Sequence, residues 1–493
     1  MNSAENQLIQ KYVSQSVFLI NELLYTNAFQ VAGSSTFLDG RTIELAKEQN
    51  ELKLSFKVAF NERKLLNDVL DIKIKAFQLL GEGTRVYTVP EKGTLLNNVK
   101  EINNTPDFEV YGSITRIHTS SLNEFDGKFQ RVFIPVDDKQ FTLLDFENYF
   151  FNTDEKTSNK QLIKLRILDM DFHLFTFKFN DKTFWGIDVL NKLEFKKFQE
   201  IAFSICNAYG FIDGDLHLNE AYYFASDHVD FSVIDHFLFT SIRKSIYTGY
   251  GIYSRNPYAY YVPFYKQKGE PLDHEFIKTW YDLLGQFPAS ILEKLAQNFY
   301  EHEALGRAAL IVLEANNQPL ELKAASYCVA FEAVCNTIKD VFGIDSPKVL
   351  DKTLWKKDIK PPFDRVLKEL LANGTIDVNQ NKILTNRLND WNRPTNADTL
   401  TAPFKKFGYT ISEDEFNCIN NRNSFLHGRL PVNESNEEEV FGELYHISLT
   451  LHKLLYVLLL KMAGYNGYIV NYPKLHSYIT GRTVNEELFI KIG

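Results

Sequence analysis

Residues 412–431 read SEDEFNCINNRNSFLHGRLP, and this stretch predicts one helix with clear ends in the last third of the chain. Ser412 and Glu415 have the S-x-x-E spacing of a capping box, in which the two residues satisfy free backbone N–H groups at a helix start. Gly428 and Pro431 are residue types that end helices. The sequence therefore predicts a helix over about 413–427.

At roughly 100° of rotation per residue, Asn423 and His427 point close to the apolar stripe of this helix. The stripe consists of Phe416, Ile419 and Leu426. Because buried polar groups need partners, we expect Asn423 and His427 to face a cleft or a subunit interface, with Arg422 on the flank. His427 is at the helix C-terminus, where the helix dipole stabilises the imidazolium that a general acid requires.

The chain has helical character from about residue 273 onward. Pro319 at a first turn and Gly343 just past an end bound one long helix that reaches Phe342. Further predicted helices are Pro288–Ala315, Pro362–Asn373, Lys382–Asn389 and Glu437–Ala463. The stretch Leu388–Phe407 is predicted to be rich in loops. This succession of helices predicts a bundle over 286–493.

Residues 1–285 have a strand pattern instead. In Glu51–Phe60 (ELKLSFKVAF), apolar and polar residues alternate, which predicts a strand with one apolar face. Similar runs are Asp71–Phe77, Phe108–His118, Arg131–Val136, Leu162–Phe179 and Thr183–Val189. One helix, Leu193–Tyr209 with Gly210 as its stop, interrupts them. The sequence thus predicts an α+β protein, with a β-rich N-terminal region of one or two subdomains and an all-α C-terminal domain.

Length and composition limit the possible functions. A chain of 493 residues exceeds what a single core usually holds, which predicts two or three domains. Hydrophobic residues make up 44% and charged residues 24%, as in a folded globular protein rather than a disordered one. The net charge of −9 argues against a protein that coats nucleic acid nonspecifically, but it allows a nuclease with a locally basic cleft.

The four cysteines include no C-x-x-C pair; they are Cys206, Cys328, Cys335 and Cys418. This spacing argues against a zinc ribbon or redox motif and is typical of core residues in a reducing cytoplasm. The apolar run Leu454–Leu460 is too short to span a bilayer, and the first ten residues lack the apolar segment of a signal peptide. We expect a cytoplasmic protein without membrane contact.

The string RNSFLHG of residues 422–428 resembles the active-site motif of HEPN-superfamily ribonucleases, which is R-x(4–6)-H near the end of a helix. The polar residue after the Arg, the capped helix and the long apolar helix that follows are similar as well. So are the upstream segment AFEAV of residues 330–334, on an earlier helix, and the loop-rich stretch after it. The resemblance covers roughly residues 290–465.

This resemblance implies metal-independent cleavage of RNA, in which the ribose 2′-OH attacks the adjacent phosphate and leaves a 2′,3′-cyclic phosphate. It implies that His427 is the proton shuttle and Arg422 the positive group on the phosphorane. Asn423 would orient the pair or the phosphate, and Glu332 would orient the pair or bind a lysine. HEPN sites usually combine two motifs across a dimer, so a homodimer is implied, with no metal or cofactor.

Three basic residues are candidates for RNA contact. Arg429 lies just after the motif, while Lys356 and Lys357 belong to a lysine cluster that contains Trp355. Such side chains can follow a phosphate backbone. A solvated basic surface is the preferred explanation for all three.

The layout resembles that of ApeA-type anti-phage defence proteins, in which a β region precedes a HEPN domain. This implies a bacterial effector that senses a phage-derived trigger through its N-terminal region and cleaves tRNA or mRNA. His427 is followed by Gly428 and Arg429, without the H-x-Y of HEPN toxins, which favours a stand-alone effector over a toxin–antitoxin pair. The alternative is a HEPN bundle that binds a nucleotide or a partner and cleaves nothing.

Three further segments contain candidate binding residues. The sequences DMDFH at 169–173 and DGDLH at 213–217 have metal-ligand types, but neither has a known ligand spacing. A polar strand face and a turn are the preferred explanations. Residues 249–268 combine tyrosines with basic residues, as in platforms that stack on bases, although an irregular connection packed by its own aromatics is preferred.

Overall fold

The chain divides into two compact units, residues 1–301 and 302–493. The computed structural model describes residues 9–25, 28–32, 38–48, 51–59, 76–81, 85–91, 94–102, 107–136, 143, 146–147, 149–153, 160–179, 182–214, 220–241, 252–254, 274–315, 318, 320–344, 348–426, 437–480 and 482–493. The first unit is built on a large sheet and the second on helices, which confirms the predicted α+β class and the order of its parts.

The first unit has a sheet of sixteen strands among the described residues. They are β1 (Ile9–Lys11), β2 (Ala28–Ala32), β3 (Thr42–Glu48), β4 (Glu51–Val58), β5 (Phe77–Leu80), β6 (Val86–Val89), β7 (Thr94–Glu101), β8 (Phe108–Ile114), β9 (Arg116–His118), β10 (Phe129–Val136), β11 (Tyr149–Thr153), β12 (Lys160–Ile167), β13 (Met170–Phe179), β14 (Lys182–Val189), β15 (Glu220–Ser226) and β16 (His236–Ser241). Their order is β1-β11-β12-β13-β14-β10-β15-β16-β9-β6-β5-β2-β3-β4-β8-β7, antiparallel except for β1 with β11.

Strand β4 has the burial that its alternating sequence predicts. Its buried residues are Leu52, Leu54, Phe56 and Val58. Lys57, on the other face, is exposed, while Phe60 lies outside the described residues. The helix α1 (Ser14–Tyr25), which the sequence analysis did not predict, packs on β3 and adds Ile20 and Leu23 to the same core.

A two-residue turn divides the predicted strand Leu162–Phe179 into β12 and β13. Leu168 and Asp169 both have positive φ, 49° and 60°, as a type I′ hairpin turn requires. The turn pairs β12 with β13 so that His173 lies opposite Lys164. The strand character of this stretch was predicted correctly. The reversal of the chain at residues 168–169 was missed, because no Gly or Asn marks the turn.

Helix α2 (Phe195–Asp213) continues past its predicted stop. Gly210 is buried inside the helix, and the left-handed residue that ends it is Gly214, with φ 88°. Helices α3 (His274–Leu283) and α4 (Ala289–Glu301) complete the first unit. Because α4 packs on α2 and β12, the unit boundary lies after Glu301, later than the predicted domain boundary at residue 285.

A buried ionic group joins three strands of the sheet. Asp188 on β14 binds Arg131 on β10, at 2.7 Å from Nε, and Lys11 on β1, at 2.7 Å from Nζ. Arg131 and Asp188 are fully buried. Burial alone would raise the pKa of the Asp188 carboxyl, but the charges of Arg131 and Lys11 lower it from 3.8 to about 2.

The described part of the second unit is helical apart from one strand pair. Its helices are α5 (Glu303–Ala315), α6 (Leu320–Phe342), α7 (Lys360–Ala372), α8 (Val378–Asp390), α9 (Asn396–Lys406), α10 (Glu413–Leu426), α11 (Glu437–Met462), α12 (Tyr472–Leu475) and α13 (Ser477–Thr480). A short turn, Lys352–Leu354, and a π-helical turn, Trp355–Ile359, precede α7. Strands β17 (Tyr468–Val470) and β18 (Phe489–Lys491) pair antiparallel. Helices α6, α10 and α11 match their predicted positions closely.

Two helical predictions for the C-terminal part were wrong in detail. The predicted stretch Pro288–Ala315 is two helices, α4 and α5, which are separated at His302. The predicted loop Leu388–Phe407 contains α9, even though Pro403 lies within that helix. Thr395 starts α9, because its side chain accepts a hydrogen bond from the backbone N–H of Asp398. Thr395 and Asp398 are therefore a capping signal present in the sequence.

Helix α6 is the central element of the second unit, since α5, α9, α10 and α11 all pack against it. Its buried side chains include Tyr327, Phe331 and Val334. The hairpin of α7 and α8 packs mainly on itself. Among the described residues, no helix is both long and apolar enough to cross a membrane.

Candidate functional site

The start of α10 has the capping geometry that its sequence predicts. The Ser412 backbone N–H donates to Glu415 Oε2 at 2.8 Å, and the Glu415 N–H donates to Ser412 Oγ at 3.2 Å. Glu415 also accepts from Tyr409 at 2.7 Å and pairs with Lys453 of α11 at 2.8 Å. The predicted capping box is confirmed, and it is tied to the neighbouring helix by a buried ion pair.

Arg422 lies two turns further along α10, and its side chain turns toward α6. The residue is 4% exposed, and its Nε lies 2.7 Å from Oε1 of Glu332. Glu332 is 36% exposed, so the ion pair is closed on the arginine side and open on the carboxylate side. The structure thus brings together two of the four predicted catalytic residues.

The structure describes the other two predicted catalytic residues only in part. Asn423 belongs to α10, next to Arg422, but the placement of its side chain is not described. His427 follows the last residue of α10 and lies outside the described residues, as do Gly428 and Arg429. The prediction that His427 meets Arg422 therefore stays a prediction.

Lys356 and Lys357 lie on the π-helical turn before α7, where both are exposed. Trp355 of the same turn is buried. Their proposed contact with RNA stays a prediction.

A second cluster on α10 was missed by the sequence analysis. Asp414 and Cys418 lie one turn apart on α10, and His446 of α11 places its Nε2 at 2.7 Å from Asp414 Oδ2. This hydrogen bond lowers the pKa of the Asp414 carboxyl, while burial raises the pKa of the Cys418 thiol to about 12. The i, i+4 spacing of Asp and Cys was a signal in the sequence, but His446 could not be connected with it.

In the first of the two metal-like sequence segments, which the structure describes in full, the three residues form no common site. Asp169 is 98% exposed at the β12–β13 turn, and Asp171 is exposed as well. His173 is buried, and burial lowers its pKa to about 3. In the second segment Asp213 ends α2, and residues 215–217 lie outside the described residues. Most of the tyrosine-rich segment 249–268 lies outside them too.

The chain matches no protein-family model, and searches of curated proteins and of solved structures found no similar protein.

Proposed function

We propose that this protein is a metal-independent endoribonuclease of HEPN type, with Arg422 and His427 as its catalytic residues. The observation that carries the proposal is the ion pair of Arg422 with Glu332, at 2.7 Å, between two packed helices of the bundle. Arg422 and Glu332 are two of the four residues that the HEPN resemblance singles out. A guanidinium held by a carboxylate has a fixed orientation, which is what recognition of a phosphorane requires.

The proposed reaction needs a proton shuttle and a stabilising positive charge. His427 follows Leu426, the last residue of α10, so it is at a helix C-terminus, where the dipole favours the protonated ring. In the proposed mechanism His427 moves the proton between the 2′-OH and the leaving 5′-oxygen, and Arg422 binds the equatorial oxygens of the phosphorane. A second copy of the chain supplies the other half of the site.

In this proposal the C-terminal unit cuts tRNA or mRNA, and the β-rich unit responds to a phage-derived trigger as part of a bacterial anti-phage defence. The exposed Lys356 and Lys357 would add RNA contacts through phosphate. The protein would act in the cytoplasm as a homodimer.

One observation favours the alternative, a bundle that binds a nucleotide or partner without cleavage. Arg422 is 4% exposed, and an arginine that stays buried during turnover cannot reach a phosphate. In that case Arg422 and Glu332 would simply hold α10 on α6. The two functions differ in whether Arg422 affects chemistry beyond its effect on stability.

The decisive experiment compares RNA cleavage by wild type, Arg422→Lys and His427→Ala, with chelator present and cyclic-phosphate ends sequenced. Removal of an acid–base group should lower the rate by about 10²-fold or more. Arg422→Lys keeps the charge but loses the bidentate fork, so a loss of about 10²-fold is expected with little loss of stability.

Matched controls are Arg393→Ala, an exposed arginine of the same unit that pairs with Asp390, and His274→Ala, an exposed histidine of the first unit. Both should cleave like wild type. Equal cleavage by wild type and by both site variants, or none by wild type with its trigger present, would leave the binding module as the better description.

A further inference from the structure

Asp414, Cys418 and His446 bring three metal-ligating side chains together in the second unit. One donor atom of each residue lies within 4.8 Å of the donors of the other two. Asp414 and Cys418 share one face of α10 because they are four residues apart. His446 comes from α11, which packs against α10. Two packed helices therefore hold an oxygen, a sulfur and a nitrogen donor in a defined arrangement.

The histidine of this cluster has a ring nitrogen that the protein leaves without a partner. His446 is 1% exposed, and its Nε2 is hydrogen-bonded to Asp414 at 2.7 Å. Its Nδ1 is buried with no hydrogen-bond partner in the described part of the chain. Nε2 faces Asp414 and is the nitrogen available to an ion in this cluster, while the unsatisfied Nδ1 shows that the described residues do not complete the hydrogen bonding of this buried ring.

We propose that Asp414, Cys418 and His446 bind a zinc ion. A thiolate together with an imidazole selects zinc over magnesium or calcium, which prefer ligand sets made of oxygen. Zinc bonds of about 2.0–2.3 Å hold tetrahedral donors roughly 3.5 Å apart. Small side-chain rotations close the present separations of up to 4.8 Å to that range.

The exposure of the ligands determines the coordination and the role of the ion. Cys418 is 3% exposed, whereas the Asp414 side chain is half exposed, so the fourth position opens toward solvent and takes a water molecule. The ion joins the first turns of α10 to α11. It therefore stabilises the helix that carries Arg422 but takes no part in the cleavage proposed above, which needs no metal.

Arg482 competes with the metal for the same carboxylate. Its Nη1 lies 3.6 Å from Asp414 Oδ1, and its Nη2 binds Glu443. A guanidinium beside a ligand repels a second cation and holds the carboxylate away from it. Removal of Arg482 should therefore tighten metal binding, an effect that a structural cluster without a metal would not have.

The test is a titration of the full-length, metal-stripped protein with Co²⁺, followed by displacement with Zn²⁺. Wild type should bind one ion per chain with a thiolate-to-cobalt charge-transfer band. Cys418→Ser should lose the band, and His446→Gln should lower the affinity by at least about tenfold, the loss typical even for outer-shell partners. Cys328→Ser, at another buried thiol of the same unit, should retain both.

Arg482→Ala provides a test that does not depend on the folding of the ligand variants, since this side chain is 43% exposed. Its affinity for Co²⁺ should rise by roughly fivefold, as expected for a unit charge near 4 Å in a watery environment. Absence of the band in wild type, a band that persists in Cys418→Ser, or unchanged affinity in Arg482→Ala overturns the zinc site. The measurement needs no RNA, so its failure is distinct from failure of the nuclease proposal.

Discussion

Two buried arginines of this protein pair with carboxylates, and they do so in different ways. In the first unit Arg131 and Asp188 are both fully buried, and Asp188 binds Lys11 as well. In the second unit Arg422 is buried, but Glu332 is 36% exposed. The first pair is closed to solvent on all sides, whereas the second pair is open to solvent at its carboxylate.

The difference separates structural ion pairs from pairs that can meet a ligand. A closed pair must satisfy its charges internally, and Arg131 does so with the backbone oxygen of Tyr12 and the ring of Phe231, 4.0 Å from its guanidinium carbon. An open pair can exchange its carboxylate for another anion, such as phosphate. Variants of both pairs test this comparison.

The largest effect is expected for Asp188→Asn, which leaves two buried cations without their shared carboxylate. Breaking such a group should lower the free energy of unfolding of the first unit by about 3–5 kcal/mol. Denaturant unfolding followed by circular dichroism measures it. Asp169→Asn, at a residue 98% exposed, is the control and should change the value by less than about 0.5 kcal/mol.

The contribution of Asp188 should also depend on pH with a defined sign. Its pKa is lowered from 3.8 to about 2, so folding favours the ionised carboxylate. The stabilisation is therefore present above about pH 4 and is lost as the pH falls through about 2, and the advantage of wild type over Asp188→Asn should shrink in that window. An advantage that stays constant down to pH 2 would contradict the closed pair.

A smaller effect is expected at the open pair. Glu332→Gln should cost about 1–3 kcal/mol in free energy of unfolding, less than Asp188→Asn, because the amide oxygen of glutamine can still accept a hydrogen bond from the buried Arg422. Arg422→Ala should cost about 1–3 kcal/mol through lost packing of its buried stem. Thermal unfolding of both variants, with Arg393→Ala as the exposed control, ranks them. If Glu332→Gln costs as much as Asp188→Asn, the two pairs are alike and the comparison fails.

The smallest effect is expected at the cap of α10. Ser412→Ala removes the oxygen that accepts from the Glu415 N–H and should cost about 1 kcal/mol. Ser424→Ala, further along the same helix, is the matched control with little expected change. Hydrogen exchange of the backbone amides in the first turn of α10 measures the effect. Equal protection in both variants would show that the Lys453–Glu415 ion pair stabilises this turn without the cap.

Local sequence patterns predicted part of this fold, because apolar residues recur with a short period along a helix or a strand. The alternation in β4 and the capping box of α10 predicted both elements, and Gly343 ends α6 as expected, with φ 57°. The same reasoning failed where local signals conflicted. Gly210 predicts a helix stop, but it lies in a buried turn of α2. The helix ends four residues later, at Gly214.

The candidate site was predicted only in part for a similar reason. The resemblance named Glu332 and Arg422 separately, but their contact depends on how α10 packs on α6. The cluster of Asp414, Cys418 and His446 was missed, since 32 residues separate Asp414 from His446.

The sequence by itself determined the order of a β-rich and a helical part, the ends of α10, and the placement of Arg422 two turns beyond its cap. Only the tertiary structure decided which charges meet, such as Lys11 with Asp188 across 177 residues. The physical reason is that periodicity and capping act within a few turns of chain, whereas ion pairs and ligand clusters form where packed elements exclude water.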